Sequence, residues 1–192
     1  MANSSVPQGL MPVRSLTGAP YNGAFNVYSV PAGDGTLIGL GDLVKINGTG
    51  QTVNDTTYQD VIRAATGDVF VGSVVAVLPA TRDSTIYREA STLRLVCVAD
   101  DPNLFFEVQE SAGGTAWTVN DIGLNANIVV ADASTTTGLS QTTGDNSTEA
   151  TTNTLDIKIV GLSNKPNNAV GASAKWIVRI NRHQYANQIA GV

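Results

Sequence analysis

The feature that most constrains this fold is a two-residue alternation of apolar and polar side chains near the C-terminus. Residues 175–181 read KWIVRIN, which sets Trp176, Val178 and Ile180 on one face and Lys175 and Arg179 on the other. Successive strand side chains point to opposite faces, so this is the signature of an antiparallel strand with one buried side. Residues 155–161 (LDIKIVG) repeat it, with Leu155, Ile157 and Ile159 set against Asp156 and Lys158. Further β-branched or aromatic runs lie at 42–47 (DLVKIN), 68–78 (DVFVGSVVAVL), 93–99 (LRLVCVA), 104–109 (LFFEVQ) and 127–131. Such residues favour a pleated, half-buried surface, and Gly72 inside the second run predicts a bend or bulge. The Asp100-Asp101-Pro102-Asn103 stretch between the 93–99 and 104–109 runs is a turn signal and predicts a hairpin.

Helical patterns are thin. Residues 119–125 suit one short turn capped by Thr118 or Asn120, and residues 57–64 suit another. Only 14% of the chain is charged, against roughly 25% in an average domain, so the long charged helix formers are scarce. The fold class expected is therefore all-β, an antiparallel β-barrel or sandwich with an extended N-terminal arm and very little helix.

Residues 1–36 read as that arm. They hold Pro7, Pro12, Pro20 and Pro31, four of the seven prolines, and proline both removes a backbone donor and pre-extends the chain. The segment also carries Leu10, Met11, Val13, Leu16, Tyr21, Phe25, Val27 and Tyr28. That is richer in apolar side chains than a disordered tail. The arm is thus expected to dock, either on its own barrel or on a neighbour. Residues 37–192 read as a single β-barrel-like domain with a long Ser/Thr/Asn/Gly-rich loop at 132–154.

Charge is unevenly spread over a net −5. From Ile157 onward there are five bases, Lys158, Lys165, Lys175, Arg179 and Arg182, and no acid. This suits either a solvated face or a basic patch meeting an acidic neighbour, with Lys175, Arg179 and Arg182 as candidate contacts. Nucleic-acid binding is not expected, because no aromatics interleave with a sufficient basic cluster. No apolar run approaches the length of a membrane span, and the first 15 residues lack a signal-peptide core.

Catalysis finds little footing. His183 and Cys97 are the only residues of their kinds. A lone Cys excludes an intrachain disulfide, and Cys97 lies in an apolar run where a thiol is a core filler. One Cys and one His cannot build a structural zinc site. No nucleophile elbow, phosphate loop or calcium loop occurs. No enzyme activity, metal or cofactor is expected.

At this point a resemblance enters. GAPYNG at 18–23, GDLVK at 41–45, AATGDVFVG at 64–72, ADDP at 99–102 and AKWIVRIN at 174–181 together resemble tailed-bacteriophage head decoration (cement, auxiliary capsid) proteins. The resemblance implies a structural virion protein, made in the host cytoplasm, that sits on the outer capsid surface. It would bind the major capsid protein, often as a homotrimer, and stabilise contacts between capsid subunits. It carries over no catalytic residue. The arm residues Val13, Arg14, Tyr21, Phe25 and Tyr28 are the candidate contacts. A tail or fibre component is the nearest alternative. A carbohydrate- or host-surface-binding module is another, with Trp117 and the 132–154 loop as its site.

Overall fold

The computed structural model describes residues 3–186, 189 and 191–192. Its strands are β1 (Met11–Ser15), β2 (Asn26–Val30), β3 (Leu43–Val53), β4 (Thr56–Arg63), β5 (Gly72–Val77), β6 (Arg94–Ala99), β7 (Leu104–Gln109), β8 (Asn125–Ala126), β9 (Ile128–Val129), β10 (Thr143–Gly144), β11 (Ile157–Leu162) and β12 (Lys175–Ile180). The helical content among the described residues is one 3-10 turn, Val119–Asp121, capped by Thr118 through a capping box with Asp121. The all-β expectation therefore holds.

Two β-bodies share one chain. Strands β2-β4-β3-β5-β6 close into a barrel, and β1-β7-β12-β11-β8 form an open five-stranded sheet, with β9 and β10 paired beside it. The barrel is filled by Tyr28, Val30, Ile38, Val44, Val61, Val71, Val74, Val96 and Val98. A second core lies between sheet and barrel wall, where Phe106, Val108, Trp176, Val178 and Ile180 from the sheet meet Leu43, Phe70 and Ala99. The alternation within the 175–181 run is realised: Trp176, Val178 and Ile180 are buried, and Lys175, Ile177 and Arg179 face outward.

Several expectations are corrected. The turn at 100–103 does not make a hairpin, because β6 pairs with β2 and β5 in the barrel while β7 pairs with β1 and β12 in the sheet. Its proline-containing turn is instead the crossover between the two bodies. The stretch at 57–64 falls on strand β4 (Thr56–Arg63) rather than a helical turn, and β4 is the return arm of a hairpin whose two-residue tip is Asn54-Asp55, both with positive φ. That tip is the primed turn that matches strand twist. The run at 68–78 supplies a strand only over Gly72–Val77. Gly72 is needed for close approach, since a Cβ there would sit 2.1 Å from the Ala99 carbonyl oxygen.

Residues 1–36 are woven into both bodies rather than lying outside them: β1 is an edge strand of the sheet and β2 closes the barrel. The free side of β1 is covered by the chain's own return, with the Tyr21 N–H donating to the Val13 carbonyl and the Ser15 N–H to the Ala19 carbonyl. At the far edge, Asn125 exchanges backbone bonds with Ala150. Both sheet edges are thus blunted, as exposed edges invite unwanted pairing. The polar 132–154 loop is tied down as well, with Ser140, Thr142 and Asn146 buried.

Candidate binding surface

The return of the chain after β1 builds a surface cleft. Residues 15–26 loop back over the crossover turn, and between them lies a cleft of about 420 Å³. Its lining includes Tyr21, Phe25, Asn26, Asp100, Asp101 and Leu104. The Leu16 N–H donates to the Asn103 carbonyl, and the Tyr21 hydroxyl donates to the Ala24 carbonyl, which hold the loop in shape. Phe25 is 50% exposed and Leu16 53% exposed. These are large apolar groups left in water on the returning loop.

The carboxylates of the cleft are fixed by hydrogen bonds. Asp100 accepts from Asn26 Nδ2 at 2.9 Å and from the Tyr28 hydroxyl at 2.6 Å. Asp101 accepts from the Asn103 N–H at 2.8 Å. Neither has an ion-pair partner among the described residues. Partial burial raises the Tyr21 phenol above its usual value, and the thiol of Cys97 and the charge of Asp100 add to the effect.

Beside the cleft, the outer face of the sheet carries a row of cations set by strand register. Arg14 on β1 stands opposite Phe105 on β7, Phe105 opposite Arg179 on β12, and Arg179 opposite Lys158 on β11. The Arg14 guanidinium lies 4.8 Å from the centre of the Phe105 ring. Arg179 Nε donates to the Pro102 carbonyl at 3.0 Å, and Lys158 Nζ donates to the Gly123 carbonyl at 3.2 Å. No carboxylate pairs with any of the three among the described residues.

The sequence candidates divide accordingly. Tyr21 and Phe25 line the cleft, and Arg14 and Arg179 share the adjoining row. Val13 is half-buried, with its carbonyl engaged by Tyr21. Tyr28 is corrected: it is 5% exposed and packs inside the barrel, with its hydroxyl already engaged by Asp100. Lys175 lies elsewhere on the sheet, opposite Gln109. Arg182 is spent on the Gly67 and Thr154 carbonyls. The sugar-site candidate Trp117 is corrected too. It is fully buried, edge-on to Trp176 at 6.0 Å, and closed over by Gly144.

Sequence reasoning missed Phe105, Lys158, Asp100 and Asp101 as a group. Composition marked the two aspartates as turn formers, with calcium carboxylates as the weaker reading, and register, which joins Lys158 to Arg179, is invisible in a single chain. Comparison with family models, with curated proteins and with solved structures gives no match.

Proposed function

We propose that this chain is a structural virion protein that binds the outer surface of a phage capsid, as a homo-oligomer, and stabilises contacts between major capsid subunits. The observation that carries the reading is the exposure of Phe25 at the cleft and of Leu16 on the same returning loop, beside a strand edge that is already covered. Side chains rather than free backbone are then available to a partner, and exposed apolar groups rimmed by polar ones suit a protein interface. The sequence resemblance to head decoration proteins supplies the identity of the partner.

Removing residues 1–30 is not a usable test, since it deletes β1 and β2. Point changes at exposed positions leave the cores intact. Leu16→Ser and Phe25→Ser, alone and combined, are assayed for binding to undecorated capsids by co-sedimentation. The expected result is at least a ten-fold loss for the pair. Undiminished binding, or no binding by the unaltered protein, overturns the reading.

A further inference from the structure

We infer that the sheet face carrying Arg14, Arg179 and Lys158 docks against a second copy of this chain, with that row meeting the Asp100–Asp101 pair of the other copy. The inference deepens the homo-oligomer part of the reading above and does not depend on the capsid.

The argument begins with a local cost. Lys158 and Arg179 are directly opposed across β11 and β12, and like charges at such a pair are destabilising. Cross-strand partners usually relieve that cost with a carboxylate. Here the chain has 16 acids, yet none pairs with the three cations among the described residues. The groups that hold them are carbonyls and a ring. Carbonyls orient a cation without cancelling its charge, so the row stays a net positive strip that runs across four strands.

An acidic pair lies beside the same strip, next to its middle cation. Arg179 donates to the carbonyl of Pro102, the residue next to Asp101. The fields of Asp100, Asp101 and Arg179 all act on the nearby His183. A positive strip and an acidic pair thus lie side by side. A long polyanion such as nucleic acid would lie partly over the aspartates and be repelled. A purely acidic protein patch would meet the same repulsion. The surface whose charge pattern fits both halves is the same face of another copy, turned so that row meets pair. Leu16 and Phe25, exposed beside the cleft, give such a contact an apolar component. Electrostatic complementarity of this kind sets orientation and salt dependence.

The test uses the full chain. Molar mass is measured by light scattering across a concentration series at low and high NaCl, for the unaltered protein and for Lys158→Glu, Asp101→Lys and the double swap. Expected is a mass above the monomer that falls with salt. Each single change should weaken self-association at least ten-fold, and the double swap should recover most of it. A monomer at every concentration and salt overturns the inference. So does an oligomer indifferent to both single changes. Circular dichroism verifies that each variant is folded, and a second swap pair, Arg14→Glu with Asp101→Arg, replaces any that is not. Capsid co-sedimentation of the same proteins separates the two readings: loss of self-association with capsid binding retained leaves both standing, whereas self-association without capsid binding removes only the capsid reading.

Discussion

Tyr28 donates its hydroxyl to Asp100 Oδ2 at 2.6 Å, which ties a strand of the barrel to the turn that leads into the sheet. The same hydroxyl lies 2.9 Å from the Tyr185 hydroxyl, so the C-terminal segment joins the node. Burial, together with the Asp100 acceptor and the Tyr185 contact, raises the Tyr28 phenol far above its usual value. The hydroxyl therefore stays a donor well above the usual phenol range.

Tyr28→Phe keeps the ring in the barrel core and removes only that donor. A hydrogen bond to a charged acceptor is worth about 1.5–3 kcal/mol. The expected loss is therefore on the order of 2 kcal/mol in urea denaturation, with an unchanged slope. A loss below about 0.5 kcal/mol would mean that solvent replaces the bond without cost.

Gly72 offers a sharper packing test. A Cβ at this position would lie 2.1 Å from the Ala99 carbonyl oxygen, where only backbone could yield. Overpacking of this kind costs typically about 1–3 kcal/mol. Gly72→Ala is expected at the upper end of that range or above it. Gly113→Ala, where an added Cβ meets nothing within 4 Å, should change stability by no more than about 0.5 kcal/mol. Paired thermal melts of the two variants measure the contrast.

Cys97 sits on β6 with its thiol buried, and that burial raises its pKa. The thiolate is the reactive species, so an alkylating reagent at neutral pH should leave the folded protein unlabelled over hours and label it completely in denaturant. Rapid labelling of the folded protein would place β6 outside the barrel wall.

The parts of the fold that were legible in the sequence are those written in local periodicity. Residues 175–181 alternate because one side of β12 faces Trp117 and the other faces water, and that is enough to orient the strand. Pairing partners were not legible. The 93–99 and 104–109 runs flank a good turn sequence, yet the chain uses that turn to leave one body and enter another. Val96 and Val98 are claimed by the barrel interior, and Phe106 and Val108 by the inner face of the sheet. Residues 57–64 show why short helical readings fail. Val61 is buried in the barrel and Asp60 accepts from Ser29, Thr49 and Gln51, contacts that only a strand in that register can make. Of the binding surface, the aromatic content of residues 21–25 was visible. The cation row was not, since Arg14 and Lys158 are 144 positions apart in the chain (158 − 14) and meet only through β7 and β12.

The dependence of stability on acid provides a last test, because two buried groups pull in opposite directions. His183 is buried beside Phe70, accepts from the Tyr185 N–H, and has its pKa lowered from 6.5 to about 4, chiefly by burial. Asp100 and Asp101 oppose that shift, and Arg179 reinforces it. Between pH 4 and 6.5 the unfolded chain binds a proton at this residue that the folded chain does not, so this group makes stability rise with pH. Asp42 behaves in reverse. Burial raises its carboxyl from 3.8 to about 6, although the Gly39 N–H, the Ser140 hydroxyl and Arg63 all favour the ion. Between pH 3.8 and 6 the folded chain holds the extra proton, so this group makes stability fall as pH rises. Each effect is on the order of 3 kcal/mol at most, so these two nearly cancel, while burial also raises the Glu110 and Asp156 carboxyls and adds to the falling side. The unaltered protein should therefore lose stability as pH rises through the acid range in urea midpoints. Asp42→Asn should expose the rising limb of His183, and His183→Gln the falling limb of Asp42. Because the chain has a single histidine, its imidazole resonance gives an independent reading, and a titration midpoint near 6.5 in the folded protein would mean that the imidazole is solvated rather than buried.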